Sequence, residues 1–333
     1  MIITKTPFRM SFFGGGTDMP DYFMENGGAV LSTTFDKYCY VNVRHIPPFF
    51  DYKTELAYSQ TERVMQEDEI AHPLIRNAMK YLDMHDIRLT YDADLPARSG
   101  LGTSSSFAVG MLNAFYALKG KYVDKHRLAK ESIYLERVLC QEAGGWQDQI
   151  AAAYGDFNRI DFINSEFTVR PVIMSLERKR QLNDRLLMFF TGFTRMSSNV
   201  QKCNNVTAIN KHGYLAEMCS LVDEAEAVLT NNHSDLDEFG RLLDHTWRLK
   251  KRTGSKISTS GIDAFYEKAL KAGAIGGKLL GAGGGGFLVF YVRHDKKEAV
   301  KAALSTLLYV PFAFETGGAQ VIHFSPEQYP LEA

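Results

Sequence analysis

A mixed α and β chain folded as two closely packed units is what this sequence predicts, on three observations. Its 333 residues exceed the usual size of one compact core, with a single large globule as the alternative. Residues 1–50 read as short strands broken by glycine, with Tyr38-Cys39-Tyr40-Val41-Asn42-Val43 the plainest β-type stretch. Helical and strand patterns alternate after that, and a buried strand at Arg185–Thr191 opens what reads as a second unit, which divides the chain into 1–180 and 181–333.

Within the first unit, Asp86–Leu95 alternates Ile87, Leu89 and Tyr91 with polar neighbours, a half-buried strand that runs into Pro96 and a Gly/Ser cluster. From Ser104 the hydroxyls suit a helix start, and Phe107-Ala108-Val109-Gly110-Met111-Leu112 continues as a buried helix. A second helix is expected over His126–Glu142, with Leu128, Ile133, Leu135 and Leu139 near helical spacing. In the second unit three helical patterns lie between about 197 and 272. The glycine run Gly276–Gly286, a strand Phe287–Val292, a helix Asp295–Leu307 and a last strand near Ala319–Phe324 follow. No internal repeat or low-complexity linker is visible.

Composition narrows the partners. Lys plus Arg is 38 against 39 for Asp plus Glu, so there is no basic surplus to meet a nucleic-acid backbone. Hydrophobic residues at 45% supply a normal core. Cys39, Cys140, Cys203 and Cys219 lack CxxC spacing, which suggests reduced thiols in a cytoplasm. Lys5, Pro7 and Arg9 interrupt any signal-like apolar stretch at the N-terminus, and no apolar run approaches the roughly 20 residues that cross a bilayer.

Three glycine-rich segments carry the chemistry. Leu95-Pro96-Ala97-Arg98-Ser99-Gly100-Leu101-Gly102-Thr103-Ser104-Ser105-Ser106 lies between a strand and a helix. Its glycines permit close backbone approach, and the amides of the helix start favour an anion. An ordinary capped loop is the alternative, and no Walker A pattern occurs. The second segment, Thr6 to Asp18, ends a strand with Gly14-Gly15-Gly16, for which a hairpin turn is the alternative. The third, Gly276 to Phe287, contains a formal GxGxxG at Gly281, Gly283 and Gly286, but a strand follows it, so a dinucleotide fingerprint is rejected in favour of a backbone wall beside a site. Zinc spacing and a GxSxG element are absent.

Taken in this order, the three segments resemble the GHMP kinases, the superfamily of galactokinase, homoserine kinase, mevalonate kinase and phosphomevalonate kinase. Gly14-Gly15-Gly16-Thr17-Asp18 together with Gly144-Gly145-Trp146-Gln147-Asp148-Gln149 is most similar to its heptose 7-phosphate kinase branch. Galactokinases carry Glu-His where this chain has Gly15-Gly16, and L-fucokinases share parts of the pattern. The resemblance implies an α+β two-domain GHMP kinase fold, with an N-terminal domain like the second domain of ribosomal protein S5 and a ferredoxin-like C-terminal domain. It also implies ATP and Mg²⁺, and transfer to the anomeric hydroxyl of a heptose 7-phosphate. A fucokinase- or galactokinase-like enzyme and a catalytically silent sugar-binding relative are the alternatives, and a homodimer is left open.

By the same resemblance Asp148 orients or deprotonates the sugar hydroxyl, and Arg9 pairs with it and faces the phosphoryl group. Pro96, Arg98, Ser99, Gly100, Leu101, Gly102, Thr103, Ser104 and Ser105 are expected at ATP, with Ser104 and Glu136 at Mg²⁺. Gly15, Gly16, Thr17, Asp18, Gly283 and Gly284 are expected at the sugar. A substrate phosphate would demand further cations, and Arg195, Arg248 and Lys250 are candidates, although such clusters are usually solvated helix faces.

Overall fold

Strands β1 (Ile2–Phe13) and β2 (Gly28–His45) pair antiparallel along nearly their whole length and form the spine of a nine-stranded sheet. The structure, a computed structural model, describes residues 1–97, 99–192 and 208–326. The short, glycine-broken strands expected over residues 1–50 are therefore two long ones. The glycines lie in the connection around helix α1 (Pro20–Asn26), and irregularities at Pro7/Phe8 and Ser11/Phe13 bend β1 without ending it.

On its other edge β2 divides its partners. Strands β3 (Thr54–Ala57) and β4 (Thr61–Val64) pair with each other, and β3 runs parallel to β5 (Ile87–Ala93), which pairs with Cys39–His45. Strand β6 (Phe157–Ile163) pairs with Gly28–Thr33 and carries β7 (Glu166–Pro171) beyond it. Helices α2 (Pro73–Leu82), α3 (Thr103–Leu118), α4 (Lys125–Tyr134) and α5 (Gln147–Tyr154) complete this half. Every residue of α3 except Ser104 and Asn113 is buried, which is why its sequence is apolar all round. The helix expected to run from His126 to Glu142 instead ends α4 in a π-helical turn at Leu135–Leu139.

After α6 (Leu176–Asp184), β8 (Leu186–Phe190) opens a second, antiparallel sheet. The three expected helical patterns are α7 (Ala208–Thr230), α8 (Asp237–Arg252) and α9 (Ser260–Lys271). Strands β9 (Ala274–Leu279) and β10 (Phe287–Val292) follow, then a short helix α10 (Lys297–Ala303), shorter than the expected Asp295–Leu307, and β11 (Leu308–Tyr309). The order across this sheet is β11-β8-β10-β9. The chain then returns: β12 (Phe314–Glu315) pairs with β2, and β13 (Gln320–Phe324) pairs with β1. A cut at 180/181 falls inside α6 and leaves these two strands on the far side of the sheet they complete.

One apolar core bridges the two sheets. Phe8, Met10 and Phe12 of β1 meet Leu215, Met218 and Val222 of α7, Phe239 and Leu243 of α8, and Leu280 and Phe287. Side chains of this size are worth about 1.5–3 kcal/mol each when fully buried, so the halves are held as one body. No helix among the described residues is long and apolar enough to cross a membrane.

Candidate active site

The two-residue period of β1 sorts its side chains. Phe8, Met10 and Phe12 enter the bridging core, so Arg9 and Ser11 face the other way, toward α3 and α5. Arg9 is 3% exposed and fully engaged. Its Nε donates to Asp148 Oδ1 at 2.7 Å, its Nη2 to Asp148 Oδ2 at 2.9 Å and its Nη1 to the Gly100 carbonyl at 2.7 Å. This two-pronged geometry fixes the carboxylate in plane as well as in position.

Asp148, in the first turn of α5, lies at the mouth of the turn that opens α3. A Cβ on Gly102 would stand 3.4 Å from its Oδ2 and 3.2 Å from Arg9 Cγ. Helix α3 starts at Thr103 with no side-chain cap, so its N-terminal dipole and amides are directed at the same space. The expected convergence of the Arg9 and Gly100–Ser106 segments is what the fold produces.

The third glycine segment closes the other side. A Cβ on Gly281 (φ 75°) would lie 2.4 Å from Gly100 Cα, and one on Gly100 (φ 84°) 2.5 Å from the Leu280 carbonyl oxygen. Both residues are therefore glycine for backbone proximity as well as for φ. Lys278 in β9 is 2% exposed and donates from Nζ to the Phe12 carbonyl at 2.7 Å, joining the end of β1 to this wall. Lys250, near the end of α8, donates to the Gly281 carbonyl.

Charge is concentrated here. Burial pushes the Asp18 carboxyl above its usual value, and the Asp148 carboxylate pushes the same way, while the Gly16 amide at 2.8 Å and Gln147 pull it back. Desolvation draws Lys250 down to about 8, the Arg9 cation adds to that, and Asp18 and Asp148 oppose it. Lys278 falls well below an ordinary lysine, through burial first and then the Lys250 and Arg9 charges.

Glu136 sits in the π-helical turn, 1% exposed. Such turns recur at functional sites because they turn one side chain out of helical register. Its Oε1 accepts from Ser104 Oγ at 3.0 Å, its Oε2 from Ser105 Oγ at 2.7 Å, and Gln149 also donates to it. A hydroxyl and a carboxylate oxygen 3.0 Å apart at the α3 start form a hard-oxygen donor pair that fits Mg²⁺ completed by phosphate oxygens and water. Among the described residues no group of three or more His, Cys, Asp or Glu side chains converges on a metal position.

Several expected contacts take other duties. The Thr17 hydroxyl donates toward the Gly14 and Ala29 carbonyls at 2.8 and 2.9 Å and accepts from the Ala29 amide at 3.1 Å, so it shapes the loop and is not offered to a sugar. The Leu101 side chain is in the bridging core, and its carbonyl accepts from the Arg9 amide at 3.2 Å. Gly283 and Gly284 brace Ile257, whose carbonyl accepts the Gly284 amide at 2.9 Å. Arg248 points outward, paired with Asp244 at 2.7 Å and 65% exposed, whereas Lys250 two residues on points inward. Ser99 is buried, with no hydrogen-bond partner for its hydroxyl among the described residues, Thr103 is buried, and Pro96 is exposed. Arg98 and Arg195 lie outside the described residues. Sequence reasoning passed over Ser11, Gln147, Gln149 and the placement of Lys278. A lone lysine in the apolar stretch Ala274–Leu280 was the available signal for Lys278.

Comparison with known proteins agrees with this geometry. The profile for the GHMP kinases N terminal domain matches residues 70–156, and that for the GHMP kinases C terminal region matches 225–310, together just over half the chain. A D-glycero-alpha-D-manno-heptose 7-phosphate kinase of Campylobacter jejuni is 29% identical over 96% of this chain and 98% of its own length. An L-fucokinase/L-fucose-1-P guanylyltransferase of Bacteroides fragilis is 26% identical over 89% of this chain, which spans 35% of that protein. A D-glycero-D-manno-heptose 1-phosphate kinase of Bacteroides thetaiotaomicron superposes with a TM-score of 0.78 at 26% identity, covering 98% of this chain and all of that one. With Arg9 and the Gly100–Ser106 turn meeting at Asp148, the third glycine segment packed against Gly100, and both halves matched in order, this chain belongs to the GHMP kinases.

Proposed function

We propose that this GHMP kinase transfers the γ-phosphoryl group of ATP to the anomeric hydroxyl of D-glycero-D-manno-heptose 7-phosphate, giving the 1,7-bisphosphate. The observation that carries the reading is the Asp148 carboxylate, locked by Arg9 in contact with the turn that opens α3. A carboxylate there can align an acceptor hydroxyl with a phosphoryl group lying on the helix start and take its proton as the new O–P bond forms and the bond between the γ-phosphorus and the β-phosphate oxygen breaks to release ADP. The full-length likeness to the Campylobacter jejuni enzyme supports a heptose phosphate as acceptor.

Each residue then has a separable role. The amides at the α3 start and the Gly100–Gly102 backbone receive the phosphates. Arg9 keeps Asp148 aimed, and Lys250 supplies a second cation close to Asp148 and Asp18. Ser104 and Glu136 would hold Mg²⁺, whose chemistry is to neutralise charge on the phosphate oxygens. Asp18, held by the Gly16 and Gln147 amides, accepts hydrogen bonds from sugar hydroxyls.

The two heptose kinases among the relatives are named for phosphates at different carbons, so the test must read position as well as turnover. The enzyme is incubated with ATP, Mg²⁺ and each of heptose 7-phosphate, heptose 1-phosphate, L-fucose, galactose and mevalonate, and products are read by ³¹P NMR. Heptose 1,7-bisphosphate formed from the 7-phosphate is the expected result. Preference for L-fucose, or phosphorylation away from the anomeric carbon, would replace the substrate assignment.

A further inference from the structure

Three consecutive glycines close the loop after β1, and the fold requires only two of them. A Cβ on Gly14 (φ 75°) would stand 1.8 Å from the Ala29 carbonyl oxygen, and Gly16 has φ 110°. Gly15 is different. Its φ lies outside the left-handed region, and a Cβ there would meet only Gln147 Nε2 at 3.6 Å and Ser11 Oγ at 3.7 Å, ordinary contact distances. Among the described residues nothing in the packing forbids a side chain at this position, and glycine leaves that space open.

The two groups that rim this space are buried and incompletely satisfied. Ser11 is 5% exposed and among the described residues its hydroxyl has no hydrogen-bond partner. Gln147 is 9% exposed; its backbone amide donates to Asp18 Oδ2 at 3.3 Å, and among the described residues its Oε1 has no hydrogen-bond partner. Buried polar atoms are rarely left unpaired, and an unpaired one lining a site marks where a ligand atom completes the set. Gln147 also directly precedes Asp148, so the space adjoins the reacting carboxylate.

We infer that Ser11, Gly15 and Gln147 form a notch that receives one hydroxyl of the acceptor, next to the hydroxyl that Asp148 activates. The inference rests on the kinase reading above and adds to it how the substrate is recognised. The donor and acceptor set is specific. Ser11 can give or accept a hydrogen bond, the Gln147 amide gives through Nε2, its atom nearest Gly15, and accepts through Oε1, and the neighbouring Asp18 carboxylate accepts. A hydroxyl, which both gives and accepts, satisfies that set. A carboxylate acceptor substrate would meet Asp18 and Asp148 with like charge, so the notch favours polyhydroxylated acceptors over hydroxy acids.

The test uses the sugar phosphate that the wild-type enzyme turns over best, its monodeoxy analogues, and the variants Gly15→Ala, Ser11→Ala and Gln147→Met. Gly15→Ala is expected to keep the wild-type melting temperature and the KM for ATP while raising the KM for the sugar about tenfold or more, the scale of one displaced hydrogen bond. In the wild type one deoxy analogue should be disfavoured by a similar factor, and Ser11→Ala or Gln147→Met should abolish that discrimination. Unchanged sugar KM in Gly15→Ala, or wild-type discrimination in both polar variants, would overturn the notch. If the wild-type enzyme phosphorylates no sugar at all, the kinase reading fails first, an outcome distinct from these. Should Gln147→Met fold poorly, Gly15→Ala and Ser11→Ala decide the matter alone.

Discussion

Gly100 and Gly281, 181 residues apart in sequence, face each other with no room for a methyl group between their backbones: a Cβ on Gly281 would stand 2.4 Å from Gly100 Cα. The turn that opens α3 and the C-terminal glycine wall are therefore one construction. Gly281→Ala adds both this clash and a strained φ of 75°. Its expected cost is about 1–3 kcal/mol. Urea unfolding should show that loss together with a raised KM for ATP; wild-type values of both would mean that the two loops do not need this contact.

Asp148→Asn keeps the shape and one acceptor for Arg9 but removes the base. Turnover is expected to fall by about 10²–10⁴-fold, with ATP affinity near wild type and an unchanged circular dichroism spectrum. A variant that retains wild-type kcat removes Asp148 from the reaction.

Lys250 should write its titration into the pH profile. With its ammonium drawn down to about 8 in the free enzyme, kcat/KM is expected to decline as pH rises through that value, because the cation is lost. Lys250→Arg, charged throughout, should lack this limb. Stability runs the opposite way. The unfolded chain binds the extra proton between about 8 and the ordinary lysine value of 10.5, so this group favours folding more as pH rises through that window. Activity and apo-enzyme stability measured across it should diverge.

Arg248→Ala separates two neighbouring cations. Arg248 is exposed and paired with Asp244, so its loss is expected to change stability by less than about 1 kcal/mol and to leave the sugar KM near wild type. Lys250→Ala should lower kcat/KM clearly in the same assay. Equal effects would return both residues to a shared pocket.

Glu136→Gln tests the metal pair. Removing the carboxylate charge while keeping partners for Ser104 and Ser105 should raise the half-saturating Mg²⁺ concentration by about tenfold or more. An unmoved Mg²⁺ titration would place the cation elsewhere.

Much of the site was legible because its chemistry is local. The Gly100–Ser106 turn stands out by its own glycines and hydroxyls, whereas Arg9, Glu136 and Asp148 are expected beside it through the resemblance that the short glycine segments carry. Direction was not. Within the run Arg248–Arg252 every basic residue reads alike, yet at ~100° per residue Arg248 and Lys250 leave α8 on different faces. The π-helical turn that presents Glu136 breaks no sequence rule, so the stretch to Glu142 reads as one helix. Thr17 looked like a sugar ligand because nothing local reveals that Ala29, across the loop, claims its hydroxyl. The pairing of β13 with β1 joins segments more than 300 residues apart, a contact no local pattern encodes.

That last pairing bears on how the enzyme comes into being. The edge of β1 at Ile2–Lys5, in the strand that carries Arg9, stays open until Gln320–Phe324 have been synthesised, and β2 likewise waits for Phe314–Glu315. Most of the polymer must therefore leave the ribosome before the reaction centre acquires its final frame, and contacts of such long range are slow to form. A nascent chain halted after β10 would hold every residue named in the chemistry and still lack the two strands that seal the sheet behind them.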